Sequence, residues 1–405
     1  MTASTRPVGG TILTPAAKAL LVLAVLGGAV GLYRLTQGLG ATTAMNDGYP
    51  WGIWIAFDVA VGTGLASGGY ALAFVVFILN RGRYHRLVRP ALVTSLLGYA
   101  MAGVAVMFDL GRYWSVWRIP THPGSWNGNS VLLEVALCMM AYTAVVFLEL
   151  GPAWLEGLSA SRRPERAQLA ARWLPRAEKA LPFLVALGLL LPTMHQSSLG
   201  SLMMMAGHKL HPLWHTALLP LHFLFTAFVM GFAVLYFEST FTGAAFKRPL
   251  ETRLLARLGK YVAGVIIAFV VVRFVGLAVE GKAGLLVGSG LFSFLFWTET
   301  VLLLAAAALF LRPQTHLRPD QQLQAALLSM AGAALYRVDT FLVAYNPGNG
   351  WSYFPNVPEI LFTLGLIATE TFLYVLVVRK FPILAGVTPA PGRAVPAGLK
   401  QGATT

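Results

Sequence analysis

The chain alternates between long apolar segments and short polar loops. Ten apolar segments are each long enough to cross a hydrocarbon core of about 30 Å. This pattern predicts an all-α, polytopic integral membrane protein with about ten transmembrane helices. The segments lie at about 16–35, 52–79, 90–110, 130–150, 181–200, 213–238, 259–279, 288–311, 322–344 and 358–378.

Lysine and arginine are concentrated in every second loop. The loops after the second, fourth, sixth and eighth segments are basic, as are both ends of the chain, whereas the other loops carry few cations. Short cytoplasmic loops carry an excess of Lys and Arg. Both termini are therefore predicted to be cytoplasmic. Within the longest basic connection, 151–180, an Arg-rich stretch is expected to lie along the membrane interface as a short helix.

Composition narrows the classes of protein further. Hydrophobic residues make up 57% of the chain and charged residues only 11%, which is outside the range of an ordinary soluble domain. The net charge of +14 is assigned to loops beside anionic lipid head groups, and no nucleic-acid partner is expected. The single cysteine, Cys138, excludes an internal disulfide and a four-cysteine iron–sulfur set. We predict one membrane domain over 1–384 and a disordered cytoplasmic tail over 385–405, which is rich in Pro, Ala and Gly.

The non-basic loops form a second class of connection. They are rich in aromatic residues, Gly, Pro and Asn, notably at 46–51, 113–129 and 345–355. Trp and Tyr favour the membrane interface, so an ordinary aromatic belt is one interpretation. The length of these loops favours another, in which they form an ordered cap on which a further subunit docks.

Ionisable residues recur at one predicted depth, close to the non-basic side. Such groups are costly inside a membrane and need partners or a function. A set of carboxylates, imidazoles and a guanidinium at one depth suits the binding and protonation of a quinone, a hydrophobic ligand with two carbonyl oxygens. The candidates are Asp58, Asp109, Arg112, Glu134, His195, His211 and His215.

Several of these residues also have structural interpretations. Asp109 and Arg112 are three residues apart at a helix end and are expected to form an orienting ion pair. Asp58 is expected either to serve the quinone or to hydrogen-bond a neighbouring helix. His211 and His215 are placed one turn apart at the start of the sixth helix, where they either line the pocket or are simply interfacial.

Two further sets of residues leave alternatives open. His195 with His215 or His222 is the pair that a bis-histidine haem b would need, although no second pair follows and haem b is not expected. A deeper group on the later helices is expected to form internal ion pairs or to line a proton path from the cytoplasm. That group comprises Arg273, Glu299, Arg337, Asp339 and Glu370, with Glu149 and Glu238 near the basic side.

Seven stretches in order along the chain resemble the NrfD/PsrC superfamily, the membrane subunits of polysulfide reductase and related enzymes. Within it they are most similar to the ten-helix HybB-type subunits of hydrogenase-2-type nickel–iron hydrogenases. The stretches are GYPWGIWIAFD (48–58), NRGRYH (80–85), DLGRYW (109–114), NSVLLE (129–134), LPTMHQSS (191–198), KLHPLW (209–214) and VAYNPG (343–348).

The resemblance implies NrfD-like helical bundles in the bacterial inner membrane and a role as membrane anchor and quinone-reactive subunit. Electrons would pass from the large and small subunits of a Ni/Fe-hydrogenase to a periplasmic ferredoxin-like Fe–S subunit. From this subunit they would pass to menaquinone or ubiquinone. Asp58, Glu134 and His195 lie inside matched stretches and are the expected proton-handling residues. Related reductases, a passive anchor and, from the charged helices alone, a secondary transporter remain alternatives.

Overall fold

The computed structural model describes residues 6–159, 163–313 and 318–385, and its regular structure there is entirely helical. Within these ranges ten helices, α1 to α10, are long and apolar enough to cross a membrane, as the sequence predicts. We call the side with the aromatic loops the outer side and the side with the basic loops the inner side. The helices α1 to α10 are Pro15–Gln37, Trp54–Ile78, Gly82–Asp109, Val131–Ser159, Pro164–Met204, Leu219–Phe246, Thr252–Val279, Leu291–Leu311, Pro319–Val343 and Val357–Lys380.

The helices form two four-helix bundles with a flanking pair. α2 to α5 pack around one another as the first bundle, and α6 to α9 pack as the second. α2 contacts both α6 and α9, and α5 contacts α6, so these four helices make the interface between the bundles. α1 and α10 pack on each other and lie against α3. The chain is therefore two bundles joined side by side, with its first and last helices on the flank of the first bundle.

Two predicted boundaries are wrong. The Arg-rich stretch after residue 163 is not a separate interfacial helix, because α5 runs unbroken for 41 residues from Pro164 to Met204. Residues 164–180 are mostly Ala, Arg, Leu, Glu and Lys, which are strong helix formers, so the helix continues beyond the apolar segment. α6 begins at Leu219 rather than near 213, because Pro220 occupies its first turn and the residues before it form a loop.

α2 is irregular, and it is the most buried of the helices in the first bundle. It opens with a π-helical segment, Trp54–Val59, and a turn at Ala66 and Ser67 interrupts its middle. Gly231 of α6 lies so close that a Cβ there would be 2.6 Å from the Ser67 backbone. Small residues on both helices thus allow the backbone of α6 to approach that of α2 closely.

Glycines also set the contact between α1 and α10. A Cβ added at Gly27 would lie 2.6 Å from the Cα of Gly365, whereas one added at Gly28 would meet nothing within 4 Å. We expect Gly27→Val to destabilise the protein by about 1–3 kcal/mol, because a branched side chain forces the two backbones apart. Thermal unfolding in detergent measures this. Gly28→Val is the matched control, and an equal loss in both variants would contradict the packing argument.

The inner ends of the helices are tied together by polar contacts. Arg89 forms a partly exposed ion pair with Glu156 at 2.6 Å. The Arg248 guanidinium donates to the carbonyl oxygen of Ala385 at 2.6 Å, so the chain just after α10 is fixed to the loop between α6 and α7. The predicted tail, 385–405, lies outside the described residues except for Ala385.

Candidate functional site

His195 lies at the centre of the first bundle and is completely buried. Its Nδ1 is 3.2 Å from the carbonyl oxygen of Val135 on α4, and its Nε2 is 3.3 Å from Oγ1 of Thr63 on α2. The neighbouring Gln196 donates from Nε2 to the same Thr63 oxygen at 3.0 Å and to the Tyr99 hydroxyl on α3 at 3.2 Å. All four helices of the bundle therefore meet at one hydrogen-bonded network, which we call the His195 network.

The contacts of His195 define where its protons are held. A carbonyl oxygen can only accept, so Nδ1 must carry a proton and donate it to Val135. Nε2 faces the Thr63 hydroxyl, which donates its hydrogen to the carbonyl oxygen of Val59 at 2.7 Å and can therefore accept a hydrogen bond from Nε2. The ring can consequently take up a second proton on Nε2 and donate it to Thr63 without moving. This is the property required of a proton relay.

Glu134 sits one residue before the Val135 carbonyl that holds His195. It lies in the first turn of α4, which begins after the N-cap Ser130, and its side chain is half-buried. Its carboxylate makes no side-chain hydrogen bond with the part of the chain that is described. A carboxylate near the outer end of a bundle, with free acceptor positions, is available to a ligand or to water.

A line of polar residues extends from the His195 network toward the inner side. The ring of Tyr99 packs edge-on against that of Tyr142 on α4, with centroids 4.5 Å apart. Seven residues further along the same helix, and hence on the same face, is Glu149, which is 8% exposed. Its Oε1 is buried without a hydrogen-bond partner among the described residues. Tyr99, Tyr142 and Gln196 were not singled out from the sequence, where their only signal is polarity inside apolar segments.

Asp58 is hydrogen-bonded to helix α10 rather than to the His195 network. Its Oδ2 accepts a hydrogen bond from the Thr363 hydroxyl on α10 at 2.8 Å, and the residue is 9% exposed. Two turns further along α10, the carboxyl group of Glu370 interacts electrostatically with Asp58. Asp58 thus joins the first bundle to the flanking helix α10, as the structural interpretation of this residue predicts.

The predicted ion pair between Asp109 and Arg112 is wrong. α3 ends at Asp109, and Arg112 lies exposed in the loop beyond it. No ion pair joins the two residues in the described part of the chain. The helix stops between them, so the i, i+3 geometry is lost. Arg34 of α1 instead caps this end, donating to the carbonyl oxygens of Phe108 and Leu110 at 2.6 Å each.

His211 and His215 lie in the loop before α6, not on the helix face predicted for them. The backbone N–H of His211 donates to the carbonyl oxygen of Ala344 at 2.9 Å, so this loop is held against the end of α9. The His211 ring stacks on Phe292 with centroids 4.1 Å apart. Partial burial lowers the pKa of His211 below its ordinary value. His215 is held through Nε2, 3.3 Å from the Met204 carbonyl oxygen.

An aromatic cavity of about 590 Å³ opens at the outer side between the bundles. It lies between the start of α2, the end of α9 and the loop over 345–355, and its size suits a drug-sized ligand. Two hydrogen bonds fix its wall: the Tyr49 hydroxyl donates to the Tyr345 carbonyl oxygen at 2.8 Å, and the Tyr353 hydroxyl donates to Glu359 at 2.7 Å. Its aromatic lining comprises Tyr49, Phe57, Phe292, Tyr345, Trp351, Tyr353 and Phe354.

The deeper polar group on the later helices divides into two. Arg273 and Glu299 form a buried ion pair at 2.6 Å, as expected. Arg337 pairs instead with neutral acceptors on both bundles: the carbonyl oxygens of Ala60 and Phe223 and, at 3.0 Å, Oγ1 of Thr226. Arg337 therefore fastens α9 to α2 and α6.

The three histidines considered for a bis-histidine haem lie in different surroundings. Both ring nitrogens of His195 already face hydrogen-bonding groups inside the first bundle. His222 lies in the second bundle, where its Nδ1 is 3.0 Å from the Tyr336 hydroxyl. His215 is held by the outer loop. A haem bound through Nε2 of His195 would replace the contact of that atom with Thr63.

Several known proteins are similar in sequence to this chain. The family model described as polysulphide reductase, NrfD, matches residues 41–347. A probable Ni/Fe-hydrogenase 2 b-type cytochrome subunit of Escherichia coli is 41% identical over 387 residues, 94% of this chain and 95% of the relative. The integral membrane subunit of a menaquinone reductase of Nitratidesulfovibrio vulgaris is 30% identical over 178 residues, 43% of this chain and 40% of the relative. A selenate reductase subunit of Mesobacillus selenatarsenatis is 27% identical over 250 residues, 57% of each chain. The resemblance is confirmed: the chain belongs to the polysulphide reductase NrfD family and is a membrane subunit of the kind found in oxidoreductase complexes.

Proposed function

We propose that this chain is the membrane anchor and quinone-reactive subunit of a periplasmic hydrogen-oxidising complex in the bacterial inner membrane. Its partners are a ferredoxin-like Fe–S subunit on the outer side and, through it, the large and small subunits of a Ni/Fe-hydrogenase. Two relatives support this proposal by name, one as a hydrogenase subunit and one as part of a menaquinone reductase. In this proposal both termini are cytoplasmic, which the positive-inside pattern of the loops supports.

The observation that carries the proposal is the His195 network together with Glu134. Hydrogen oxidation releases two electrons and two protons outside the membrane, and reduction of a quinone to a quinol consumes two electrons and two protons. The membrane subunit must therefore deliver protons to the ligand. Glu134 is placed to receive or give a proton at the outer end of the first bundle, and His195 can carry one within it.

The aromatic cavity is a space in which the ligand ring can bind. Quinones are flat and largely apolar, and aromatic walls with a few polar groups suit such ligands. The cavity is on the outer side, where the Fe–S subunit is proposed to dock, so electrons would have a short path. Phe57 lines it, and the next residue along α2 is the proton-relay candidate Asp58.

The line of residues from His195 to Glu149 offers a source of protons on the inner side. If the protons for the quinone come from the cytoplasm while hydrogen is oxidised outside, each turnover separates charge across the membrane. Buried ionisable groups at several depths are typical of proton relays. The proposal therefore includes proton translocation coupled to quinone reduction.

The experiment that tests the proposal is a visible spectrum of the purified complex, with its bound quinone extracted and quantified, followed by an assay of hydrogen-driven quinone reduction. We expect bound menaquinone or ubiquinone, no reduced b-type haem band in stoichiometric amount, and activity with added quinone. A stoichiometric haem band would overturn the assignment of His195 to proton transfer. A complex that reduces artificial dyes but never quinone would identify a passive anchor.

A further inference from the structure

A second buried polar cluster lies in the second bundle, outside the residues assigned to quinone reduction. It is centred on the Arg273–Glu299 ion pair, in which Arg273 Nη1 is 2.6 Å from Glu299 Oε2. Trp214 of the outer loop donates from Nε1 to the other oxygen, Oε1, at 3.1 Å. Asp339 of α9 lies three residues beyond Tyr336, on the same face of the helix, and interacts electrostatically with Glu299. We call these residues, with His222 and Tyr336, the Arg273 cluster.

The cluster is continuous and sealed from solvent. The Arg273 guanidinium carbon is 4.8 Å from the centre of the Tyr336 ring, and the Tyr336 hydroxyl is 3.0 Å from His222 Nδ1. Glu299 and Tyr336 are fully buried, and Asp339, Arg273 and His222 are 2–3% exposed. Trp214, which is 1% exposed, covers the outer face.

Four buried atoms of this cluster have no hydrogen-bond partner within the described residues. They are Nε and Nη2 of Arg273, Oδ2 of Asp339 and Nε2 of His222. An unsatisfied polar group costs several kcal/mol in a medium without water. Four such atoms on three residues in contact with one cluster indicate that a polar species binds between them.

The charges of the cluster identify that species as water. The positive charge of Arg273 is already balanced by Glu299, so the cluster has no unpaired positive charge to bind an anion. The described residues contain no group of three or more His, Cys, Asp or Glu side chains suited to a metal ion. Two of the orphaned atoms are guanidinium donors, and the other two are a carboxyl oxygen and an imidazole nitrogen. Water can both donate and accept, and it is the usual partner of buried polar groups.

The same contacts show where a proton resides. Both oxygens of Glu299 accept hydrogen bonds, one from Arg273 and one from Trp214, as expected of an ionised carboxylate. Asp339 is 2% exposed, forms no ion pair in the described part of the chain and has a buried Oδ2 without a hydrogen-bond partner there, so its ionised form would be costly. Since Glu299 is satisfied as the anion, Asp339 is the group that carries the proton.

We propose that the Arg273 cluster is a buried, water-containing proton site in which Asp339 binds and releases one proton against the fixed Arg273–Glu299 pair. Proton uptake changes the charge of the cluster by one, and water bonded to Arg273, Asp339 and His222 provides the carrier for it. The site lies in the second bundle, so it is separate from the His195 network in the first. Its part in translocation rests on the proposed function, whereas its capacity to hold a proton does not.

Infrared spectroscopy of the purified complex tests whether Asp339 carries a proton. Asp339→Asn is the variant of choice, because an amide of the same size replaces the carboxyl group and cannot bind or release a proton. We expect the carbonyl band of one protonated carboxyl group in wild type to be lost in Asp339→Asn and retained in Glu156→Gln, which removes the carboxylate of a partly exposed ion pair. An unchanged carboxyl band in Asp339→Asn would overturn the proposal.

A cryo-electron microscopy map that resolves ordered water tests whether the Arg273 cluster contains water. We expect density for water within hydrogen-bonding distance of Arg273, Asp339 and His222. A map in which these atoms bond only to protein would refute a hydrated site. Neither the infrared spectrum nor the map requires quinone turnover. A negative result in either would therefore contradict the proton site without contradicting the proposed quinone reduction. In vesicles, Asp339→Asn is further expected to release fewer protons outside per quinone reduced.

Discussion

Replacing Glu134 by Gln is expected to reduce hydrogen-driven quinone reduction by about 10²–10⁴-fold, the usual contribution of a general acid or base. The substitution keeps the size and polarity of the side chain and removes only its capacity to bind a proton. The carboxylate makes no side-chain hydrogen bond with the described residues, so no packed contact is lost. Reduction of an artificial dye by the hydrogenase subunits should continue at the wild-type rate. The ratio of the two rates, measured on one preparation, is the readout.

Glu156→Gln is the matched control for this prediction. It removes a carboxylate on the inner side whose only described role is a partly exposed ion pair with Arg89. Such surface pairs contribute little, so both rates should stay unchanged. If Glu134→Gln instead leaves quinone reduction intact, Glu134 is not in the proton path. If it prevents assembly of the complex, its role is structural.

The ten helices could be predicted from the sequence because the cost of exposing the backbone in lipid leaves few alternatives. Each predicted segment corresponds to one helix of the structure. Errors occurred at the ends, where that constraint is weak. Residues 164–180 lie beyond the apolar segment, and their helical propensity extends α5. The loop before α6 is fixed by bonds to distant residues, such as that between His211 and Ala344.

The sequence predicts how deep each candidate residue lies in the membrane, but it does not predict which residues it contacts. Counting residues along a helix gives depth directly, whereas the direction of a side chain around the helix depends on how the helices are rotated and packed. The sequence groups Asp58, Glu134 and His195 by depth. In the structure, His195 lies inside the first bundle, while Asp58 binds Thr363 on α10. The capping of the α3 end by Arg34 likewise depends on α1 lying against that end, which no local pattern indicates.

Each bundle contains a buried polar cluster, but the cluster in the first bundle is built from neutral groups and that in the second from charged groups. In the first, His195 and Gln196 of α5 meet Thr63 of α2 through neutral hydrogen bonds. In the second, Arg337 of α9 meets Thr226 of α6, and charge is concentrated in the Arg273 cluster. The first bundle therefore joins its helices through neutral groups, whereas the second also contains a buried ion pair that is costly to break.

Arg273→Met is expected to lower the free energy of unfolding by about 3–5 kcal/mol, because it leaves the buried carboxylate of Glu299 without its cation. Adding Glu299→Gln should recover most of this loss, since the amide is neutral and still accepts a hydrogen bond from Trp214. Thermal unfolding of the two single variants and the double variant in detergent gives the coupling between the residues. Arg318→Met, which breaks only the exposed pair with Asp320, is the control and should unfold like wild type. A double variant no more stable than Arg273→Met would mean that Arg273 acts by filling space among the rings of Phe296 and Tyr336 rather than by charge.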